Sequence, residues 1–376
     1  MSSTYGENIK LSIFGQSHGT AIGMTLDGIP AGLAVDTDAL QQFLNRRAPG
    51  QNDWSTPRKE ADRPEFLSGV VDGFTCGAPI AAVIHNKNTR SGDYNNSKDV
   101  PRPGHADFTA QIKYGGFQDA AGGGHFSGRL TAPLCIAGGL CKQWLEEMGI
   151  RIGAHINQIG TVFDNPFDSL HPDLDAISDS FPTLDDAAAE DMQNLIADAK
   201  ADGDSVGGVI ECAVTGLPAG IGEPVFDKLD ANLSKAVMSI GAVKAVEIGD
   251  GVLVSSAKGS ENNDSFVADN QFISKKTNHS GGVLGGISDG ADLILRAHFK
   301  PTPSIFSKQE TVNKSGENIE VEIKGRHDPI IVPRAVVVVE AMVALTILDL
   351  CMINMSTRLD YLKDLGVTTI YVLPFA

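Results

Sequence analysis

Residues 330–353, IIVPRAVVVVEAMVALTILDLCMI, form the most apolar stretch of this 376-residue chain. The stretch is long enough to cross a membrane, but Pro333, Arg334, Glu340 and Asp349 interrupt it. A membrane-spanning helix consists of about 20 predominantly apolar residues with few or no charges, so these interruptions are poorly suited to lipid. The stretch therefore predicts a buried helix rather than a membrane span.

The composition around this stretch is that of a globular protein. Hydrophobic residues make up 42% of the chain and charged residues 20%, so it is able to bury a sizeable core. The net charge of −17 argues against general binding to nucleic acid or to anionic membranes, and neither is expected as a partner. Five scattered cysteines without a Cys-x-x-Cys pair, and no visible signal peptide, predict a cytoplasmic protein with reduced thiols.

Strand and helix patterns alternate along the chain. Residues 9–14 and 21–32 predict two strands joined as a hairpin. An Asp cap followed by helical spacing predicts a helix over 36–45, and a run rich in small residues predicts another over 130–148. Glycine-rich turns recur without a break in composition, so we predict one α+β domain.

Long polar segments separate these elements. They cover residues 46–64, residues 86–113 and approximately residues 256–270, and all are predicted as loops. Long loops inside a compact enzyme are usually functional or disordered. The density of His, Arg and Asp in the first two segments favours function.

Residues 121–129, AGGGHFSGR, lead directly into the helix predicted at 130–148. Their spacing matches neither the P-loop nor the dinucleotide-binding fingerprint. Backbone N–H groups at a helix N-terminus attract anions, and Arg129 adds a positive charge in the first turn. The residues alone leave two interpretations open, an anion-binding turn and a structural turn.

Histidines in glycine- or proline-flanked loops are the candidates for acid/base chemistry. His18, His105 and His327 each lie beside Ser, Arg or Asp residues. No HExxH or paired-cysteine spacing occurs, so no metal site is expected. A Ser-His-Asp arrangement of Ser17, His105 and Asp328 stays open, although no GxSxG motif is present. Histidine titrates near neutral pH, which suits proton transfer to an anionic substrate.

Basic residues cluster in the same loops, against the acidic background of the whole chain. Convergent Arg and Lys side chains predict one cationic cleft for phosphate or carboxylate groups. The residues alone thus predict an enzyme that acts on a polyanionic small molecule through histidine acid/base groups. The basic cluster comprises Arg46, Arg47, Arg58, Lys59, Arg63, Arg102, Arg129, Lys300 and Arg326.

The motifs and their order resemble the chorismate synthase family over about residues 5–353. The resemblance implies an α+β fold, a single-domain β-α-β sandwich with central helices between antiparallel sheets, over residues 1–355. It also implies a homotetramer. The matching motifs are GQSHGTAIGMTLDGIPAG, RRAPGQ, TRSGDYNNSKDVPRPGHAD, GGGHFSGR, ADGDSVGGVIEC, SGGVLGGISDG, HFKPTPSI and GRHDPIIVPRAVVVVEAM.

The same resemblance implies a reaction. Phosphate leaves 5-enolpyruvylshikimate 3-phosphate by anti 1,4-elimination to give chorismate, the last step of the shikimate pathway. Reduced FMN is required without net redox change, and an external flavin reductant is expected to supply it. Contacts to substrate or to NADP are expected at the RRAPGQ loop.

The family also implies residue roles. His18 would protonate the leaving phosphate, His105 would protonate or stabilise the reduced flavin, and Asp328 would act as a base near flavin N5. The implied substrate-binding residues are Ser17, Arg47, Arg102 and Arg129. The implied FMN contacts are His125, Phe126, Ser127, Gly241, Ala242, Gly285, Lys300, Pro301, Thr302, Pro303, Ser304 and Arg326.

The chain departs from the family pattern near the predicted site. Ala48 stands where a third arginine is usual, Asp53 where a basic residue is usual, and Gly241 where many members have Asn. His125 and Phe126 replace Arg-Ser, so flavin affinity is expected to depend more on pH. These departures keep a repurposed flavin-binding protein open as an alternative. A histidine-dependent phosphatase or esterase is the alternative that needs no family resemblance.

Residues 356–376 form an atypical C-terminal tail. The sequence RLDYLKDLGVTTIYVLPFA, from Arg358, resembles a fragment of an α-amylase-type barrel. It is far shorter than such a barrel and lacks its catalytic carboxylates. A fusion or an artefact is the interpretation, and no activity is assigned to the tail.

Overall fold

The computed structural model describes residues 3–50, 61–86, 99–269, 272–323 and 328–357. Within them, helices lie between antiparallel sheets, which confirms the predicted α+β sandwich. One hydrophobic core cluster runs from the first sheet through the helices to the second sheet.

The described strands and helices, in chain order, have the following bounds. The strands are β1 (Thr4–Tyr5), β2 (Lys10–Gly15), β3 (Ala21–Asp27), β4 (Glu65–Ser68), β5 (Val70–Val71), β6 (Phe74–Thr75), β7 (Ile80–His85), β8 (Arg151–Ile159), β9 (Val162–Phe163), β10 (Gly208–Thr215), β11 (Val243–Ile248), β12 (Phe266–Asp269), β13 (Phe272–Lys275), β14 (Val283–Leu284), β15 (Ile287–Ser288), β16 (Leu293–Phe299), β17 (Gln309–Val312) and β18 (Asn318–Val321). The helices are α1 (Thr37–Arg47), α2 (Asp107–Tyr114), α3 (Thr131–Glu147), α4 (Asp186–Ala201), α5 (Leu229–Met238), α6 (Gly259–Asn262) and α7 (Val332–Thr357).

The first sheet has the strand order β1-β2-β3-β7-β4. Strands β2 and β3 form the predicted hairpin, with Lys10 opposite Asp27 and Gly15 opposite Ile22. Apolar side chains from this sheet, including Met24, are buried on its inner face. The polar turn that follows β2 is thereby held at one end of the sheet.

The second sheet has the order β11-β16-β10-β8-β9. Strand β10 pairs antiparallel with both β8 and β16, and β16 pairs with β11. The carboxyl end of β16 leads into residues 300–304, and the segment before β11 contains residues 240–242. Both segments reach the candidate site described below.

Helices α3 and α7 pack against each other between the two sheets. Helix α3 also contacts β3 and β7 of the first sheet, whereas α7 contacts β8 and β10 of the second. A Cβ added at Gly138 of α3 would overlap the backbone of Ala341 in α7. Glycine is therefore required at this position for the two backbones to approach so closely.

Helix α7 contains most of the apolar stretch of residues 330–353. It is long and apolar enough to span a membrane, but most of it is buried inside the protein, which confirms the predicted buried helix. Burial opposes ionisation of Glu340, but Arg46 and Lys142 outweigh that effect and hold its pKa at about 2. Both guanidinium Nη atoms of Arg46 donate to the Glu340 carboxylate, at 2.9 and 2.6 Å. The polar interruptions of the stretch are thus paired within the fold.

Two predicted loops contain regular structure. Residues 86–113 include most of α2, and residues 256–270 include α6 and β12. Helix α2 buries only Ala110, and its apolar residues Phe108 and Ile112 are exposed. Strand β12 pairs with β13. Lys275, at the end of β13, donates to the side chains of Asn278 and Asp289, so polar contacts hold this hairpin where the sequence shows no apolar pattern. Of the predicted loop over residues 46–64, part lies outside the described residues, as does the tail from Arg358.

Candidate active site

A cavity of about 530 Å³ lies between the turn after β2, the segment before α3, the N-terminus of α7 and the edge of the second sheet. It collects most of the residues that the sequence analysis assigned to a site. Those that line it are Ser17, His18, Arg47, His105, Phe126, Ser127, Arg129, Gly241, Ala242, Lys300, Thr302, Pro303, Ser304 and Asp328.

His18 projects into the cavity from the turn after β2. The Ser17 hydroxyl contacts His18 Nδ1 at 3.1 Å, and the Ser17 backbone N–H donates to the carbonyl of Gly124 at 3.1 Å. Gly122 has φ of +71°, and a Cβ at this position would overlap the His18 ring. Glycine at 122 therefore satisfies both the backbone conformation and the close approach of the imidazole. The AGGGHFSGR stretch forms the surface against which His18 lies.

The His105 ring is oriented by the carboxylate of Asp107. Its Nδ1 lies 2.7 Å from Asp107 Oδ1, which leaves Nε2 as the other ring nitrogen. Arg102 donates to both oxygens of Asp107, from Nε at 2.7 Å and from Nη2 at 2.8 Å. Burial opposes ionisation of Asp107, but hydrogen bonds from Arg102 and His105 lower its pKa below the usual range. Arg102 is itself buried and supports His105 rather than lining the cavity.

Arg47 and Arg129 meet at a buried carboxylate. Arg47 donates to one oxygen of Asp62, and Arg129 donates to the other. Arg47 Nε also donates to Thr131 Oγ1 at 2.9 Å, and Arg129 Nε donates to the side-chain oxygen of Asn86 at 3.2 Å. Two cations of the predicted cleft are thereby oriented as one group.

Asp328 lies at the N-terminus of α7 beside a third arginine. Arg334 Nη1 donates to Asp328 Oδ2 at 2.6 Å, and Arg334 Nε donates to the carbonyl of Arg47 at 3.0 Å. Burial lowers the pKa of Arg334, and the negative charge of Asp328 opposes that shift. Thr302 Oγ1 donates to the Asp328 carbonyl at 2.9 Å, which joins the 300–304 segment to the same group.

Lys300 and Ala242 bring two turns of the second sheet together. The Lys300 backbone N–H donates to the Ala242 carbonyl at 3.0 Å, and Lys300 Nζ donates to the Gly104 carbonyl at 3.2 Å. Ala242 adopts φ of +74°, a left-handed conformation that non-glycine residues rarely take. Such strain concentrates at ligand-binding sites.

Several assigned residues do not line the cavity. Gly285 lies in the exposed turn between β14 and β15, and Pro301 is not among the lining residues. The His125 ring is turned toward the first sheet, with Nδ1 2.9 Å from the Gly15 carbonyl and Nε2 2.9 Å from Ser3 Oγ. Arg326 lies outside the described residues. The predicted roles of these residues stay predictions.

The alternative Ser-His-Asp arrangement is not formed in the cavity. His105 bonds to Asp107, Ser17 contacts His18, and Asp328 pairs with Arg334. In the part of the chain that the structure describes, no group of His, Cys, Asp and Glu is suited to holding a metal ion.

Asp62, Asp107 and Arg334 are site residues that the sequence analysis did not assign. Each lies in a segment already noted: Asp62 in the 46–64 loop, Asp107 beside His105 and Arg334 as a polar interruption of the apolar stretch. Arg334 carried the clearest signal, because a cation inside an apolar helix needs a partner. Ala48, where the family pattern has an arginine, is buried at the C-terminus of α1.

Comparison with known proteins gives concordant matches. The family model described as chorismate synthase matches residues 9–352. The chorismate synthase of Lachnoclostridium phytofermentans is 51% identical over 364 residues, which cover 96% of this chain and 98% of that relative. The chorismate synthase of Lachnospira eligens is 51% identical over 365 residues, with the same coverage of both chains. A crystal structure of a chorismate synthase superposes with a TM-score of 0.76 at 27% identity, covering 96% of each chain.

Proposed function

The chain belongs to the chorismate synthase family, and from this premise we propose that it converts 5-enolpyruvylshikimate 3-phosphate to chorismate. The reaction is an anti 1,4-elimination of phosphate that requires reduced FMN. The observation that carries the proposal is one cavity that His18, His105 and Asp328 line together with Arg47 and Arg129. This combination supplies both proton transfer and anion binding.

The cationic wall is suited to the anionic groups of this substrate. Arg47, Arg129 and Arg334 line the cavity from three different segments, and Lys300 adds an ammonium group on the side of the second sheet. Arginine binds phosphate and carboxylate through two parallel hydrogen bonds, which fixes orientation as well as charge. In a chain of net charge −17, this local concentration of cations favours entry of an anion.

The titratable groups divide the proton transfers between them. His18 donates a proton to the departing phosphate oxygen as the C–O bond breaks. A ring C–H bond supplies the electron pair of the new double bond, and its proton passes to Asp328. His105 presents its other ring nitrogen, Nε2, for proton transfer, because Asp107 holds Nδ1. Asp328 is held in place by Arg334.

The lining of the cavity fits FMN in its chemistry. Phe126, Ile331 and Val338 give apolar surface suited to a flat ring system, and Lys300 with the Ser304 hydroxyl suits a phosphate tail. A volume of about 530 Å³ lies within the usual range of ligand pockets, about 300–1,000 Å³. Reduced FMN, when bound, supplies an electron to the substrate transiently and so eases the departure of phosphate. The residues proposed to hold it are those of the 240–242, 300–304 and 126–127 segments.

An anaerobic turnover assay tests the proposal. The purified protein is supplied with 5-enolpyruvylshikimate 3-phosphate, with and without reduced FMN, and chorismate absorbance is followed. Chorismate formed only with reduced FMN supports the proposal. Flavin binding without turnover points to a repurposed flavoprotein, and phosphate release without chorismate points to a phosphatase.

We further propose that an external reductant supplies the reduced flavin, and that the protein acts in the cytoplasm as a homotetramer. The replacement of a family arginine by buried Ala48 supports the first point, because it removes a cation from the loop where NADP contacts are expected. The test is to add NADPH and oxidised FMN without a reductase. Absence of chorismate supports an external reductant, and light scattering determines the oligomeric state.

A further inference from the structure

Asp62 lies directly behind the arginine pair of the cavity. Its side chain is fully buried and does not line the cavity, whereas Arg47 and Arg129 do. Its backbone takes φ of +44°, a left-handed conformation that Asp adopts more readily than most residues. Each carboxylate oxygen accepts a hydrogen bond from one of the two guanidinium groups.

Each of the two guanidinium groups is held by Asp62 and by at least one further hydrogen-bond acceptor. Arg47 also donates from Nε to Thr131 Oγ1 at 2.9 Å and from Nη2 to the Gly128 carbonyl at 3.3 Å, and Arg129 Nε donates to the Asn86 side chain at 3.2 Å. Both arginines are buried, so their mutual repulsion is poorly screened by water. The Asp62 carboxylate between them opposes this repulsion.

Asp62 also has an electrostatic cost. Burial opposes its ionisation, but Arg47 and Arg129 outweigh that effect and lower its pKa. The carboxylate is therefore ionised and cancels one of the positive charges that face an anionic ligand. A negative charge at this position weakens anion binding rather than strengthening it. What Asp62 supplies is a shared hydrogen-bond partner that orients the two guanidinium groups.

We propose that Asp62 is a positioning residue that holds Arg47 and Arg129 as a rigid pair, lowering affinity for anions while it fixes their orientation. The inference rests on the proposed function, because it takes this pair to bind an anionic group of the substrate. A bound anion then meets two guanidinium groups at one fixed separation. A substrate held in one fixed position relative to the catalytic groups reacts faster, since a small misplacement of the reacting atoms costs about 10²-fold in rate.

The test is the Asp62→Asn variant of the full chain, which removes the charge and keeps the shape. We expect kcat to fall at least about tenfold. Inhibition by inorganic phosphate is expected to become tighter, by about threefold to tenfold, because one negative charge is removed from behind the pair. A merely structural role would not separate these two quantities in opposite directions. An unchanged kcat, or phosphate inhibition that weakens together with kcat, overturns the inference.

Two further variants keep the test decisive. Asp62→Glu retains the charge and shifts the carboxylate by one methylene, so we expect phosphate inhibition like that of the wild type with a reduced kcat. If Asp62→Asn does not fold, this variant decides, and a wild-type kcat in it overturns the inference. Asp175→Asn removes the carboxylate of an exposed Asp–Arg pair with Arg151, outside the cavity, and is expected to change neither quantity.

The wild-type reaction separates the two claims. If the wild type makes no chorismate with reduced FMN, the proposed function fails, and the role of Asp62 fails with it. If the wild type is active and Asp62→Asn has the same kcat, only the role of Asp62 fails.

Discussion

The Nδ1 atom of His105 lies 2.7 Å from the carboxylate of Asp107. Because an ionised carboxylate only accepts hydrogen bonds, this contact puts the Nδ1 proton between the two residues. The remaining ring nitrogen is then the one available to the cavity. Asp107 in turn is fixed by Arg102, so three residues within six positions of the chain form one oriented group.

Replacing Asp107 with Asn is expected to reduce kcat on the order of 10²-fold, because the amide no longer enforces the His105 tautomer. Because its pKa is lowered, Asp107 stays ionised in the folded protein at every pH above its ordinary value of 3.8. The deficit should therefore be constant between about pH 5 and pH 9. Steady-state kinetics across that range measure it. Full additivity with His105→Ala would contradict the arrangement, since linked residues are not additive.

His18→Ala is expected to reduce kcat by about 10²–10⁴-fold while the protein stays folded, as is typical for loss of a general acid. His171 is exposed in the loop between β9 and α4, away from the cavity, and serves as the matched control. His171→Ala should retain wild-type turnover. Near-full activity in His18→Ala would remove His18 from the mechanism.

Gly122→Ala is expected to displace the His18 ring and to lower kcat about 10²-fold, because the new Cβ overlaps the imidazole. Gly73 is the control for backbone strain, since it has a similar positive φ but open space where a Cβ would lie. Gly73→Ala should show only a small loss of thermal stability. Comparable kcat values in the two variants would show that the His18 contact is not needed.

Glu340→Gln is expected to lower the free energy of unfolding by about 3 kcal/mol, because Arg46 and Lys142 lose a buried counter-charge. The pKa of Glu340 is depressed from 4.5 to about 2, so its stabilisation is present above pH 4.5 and is lost as the pH falls through about 2. Chemical denaturation at several pH values should show the difference shrinking by roughly half between pH 5 and pH 3.

Glu146→Gln on the exposed face of α3 is the control for this experiment, and its effect should stay within about 0.5 kcal/mol. A difference between Glu340→Gln and the wild type that grows as the pH falls would contradict the direction of the Glu340 shift.

The elements with strong apolar patterns were predictable from the sequence. Helix α7 is an apolar run buried almost all round, most of α3 is buried, and the β2–β3 hairpin buries Leu11, Ile22, Met24 and Leu26. Helix α2 is only eight residues long, and its apolar residues Phe108 and Ile112 are exposed rather than packed in the core. One apolar pair over so short a segment was too weak a periodic pattern to predict a helix.

The candidate site was predictable in its residue types and only partly in its pairings. Loop histidines beside arginines indicated acid/base chemistry on an anion, but the flavin came from family resemblance alone. Asp62 was not recognisable, because a single Asp in a polar loop gives no sign of burial. Its partners come from α1 and from the segment before α3, and only the folded chain brings them together.

Gly138 and Ala341 have a consequence for the spacing of the site. The turn with Ser127 and Arg129 runs directly into α3, and Asp328 precedes α7 by only a few residues. A methyl group at Gly138 would overlap the Ala341 backbone, so the two helices are in close contact and can shift little relative to each other. The distance between those two groups is constrained by this contact. The spacing of the site is therefore set in part by a helix contact that lies outside the cavity.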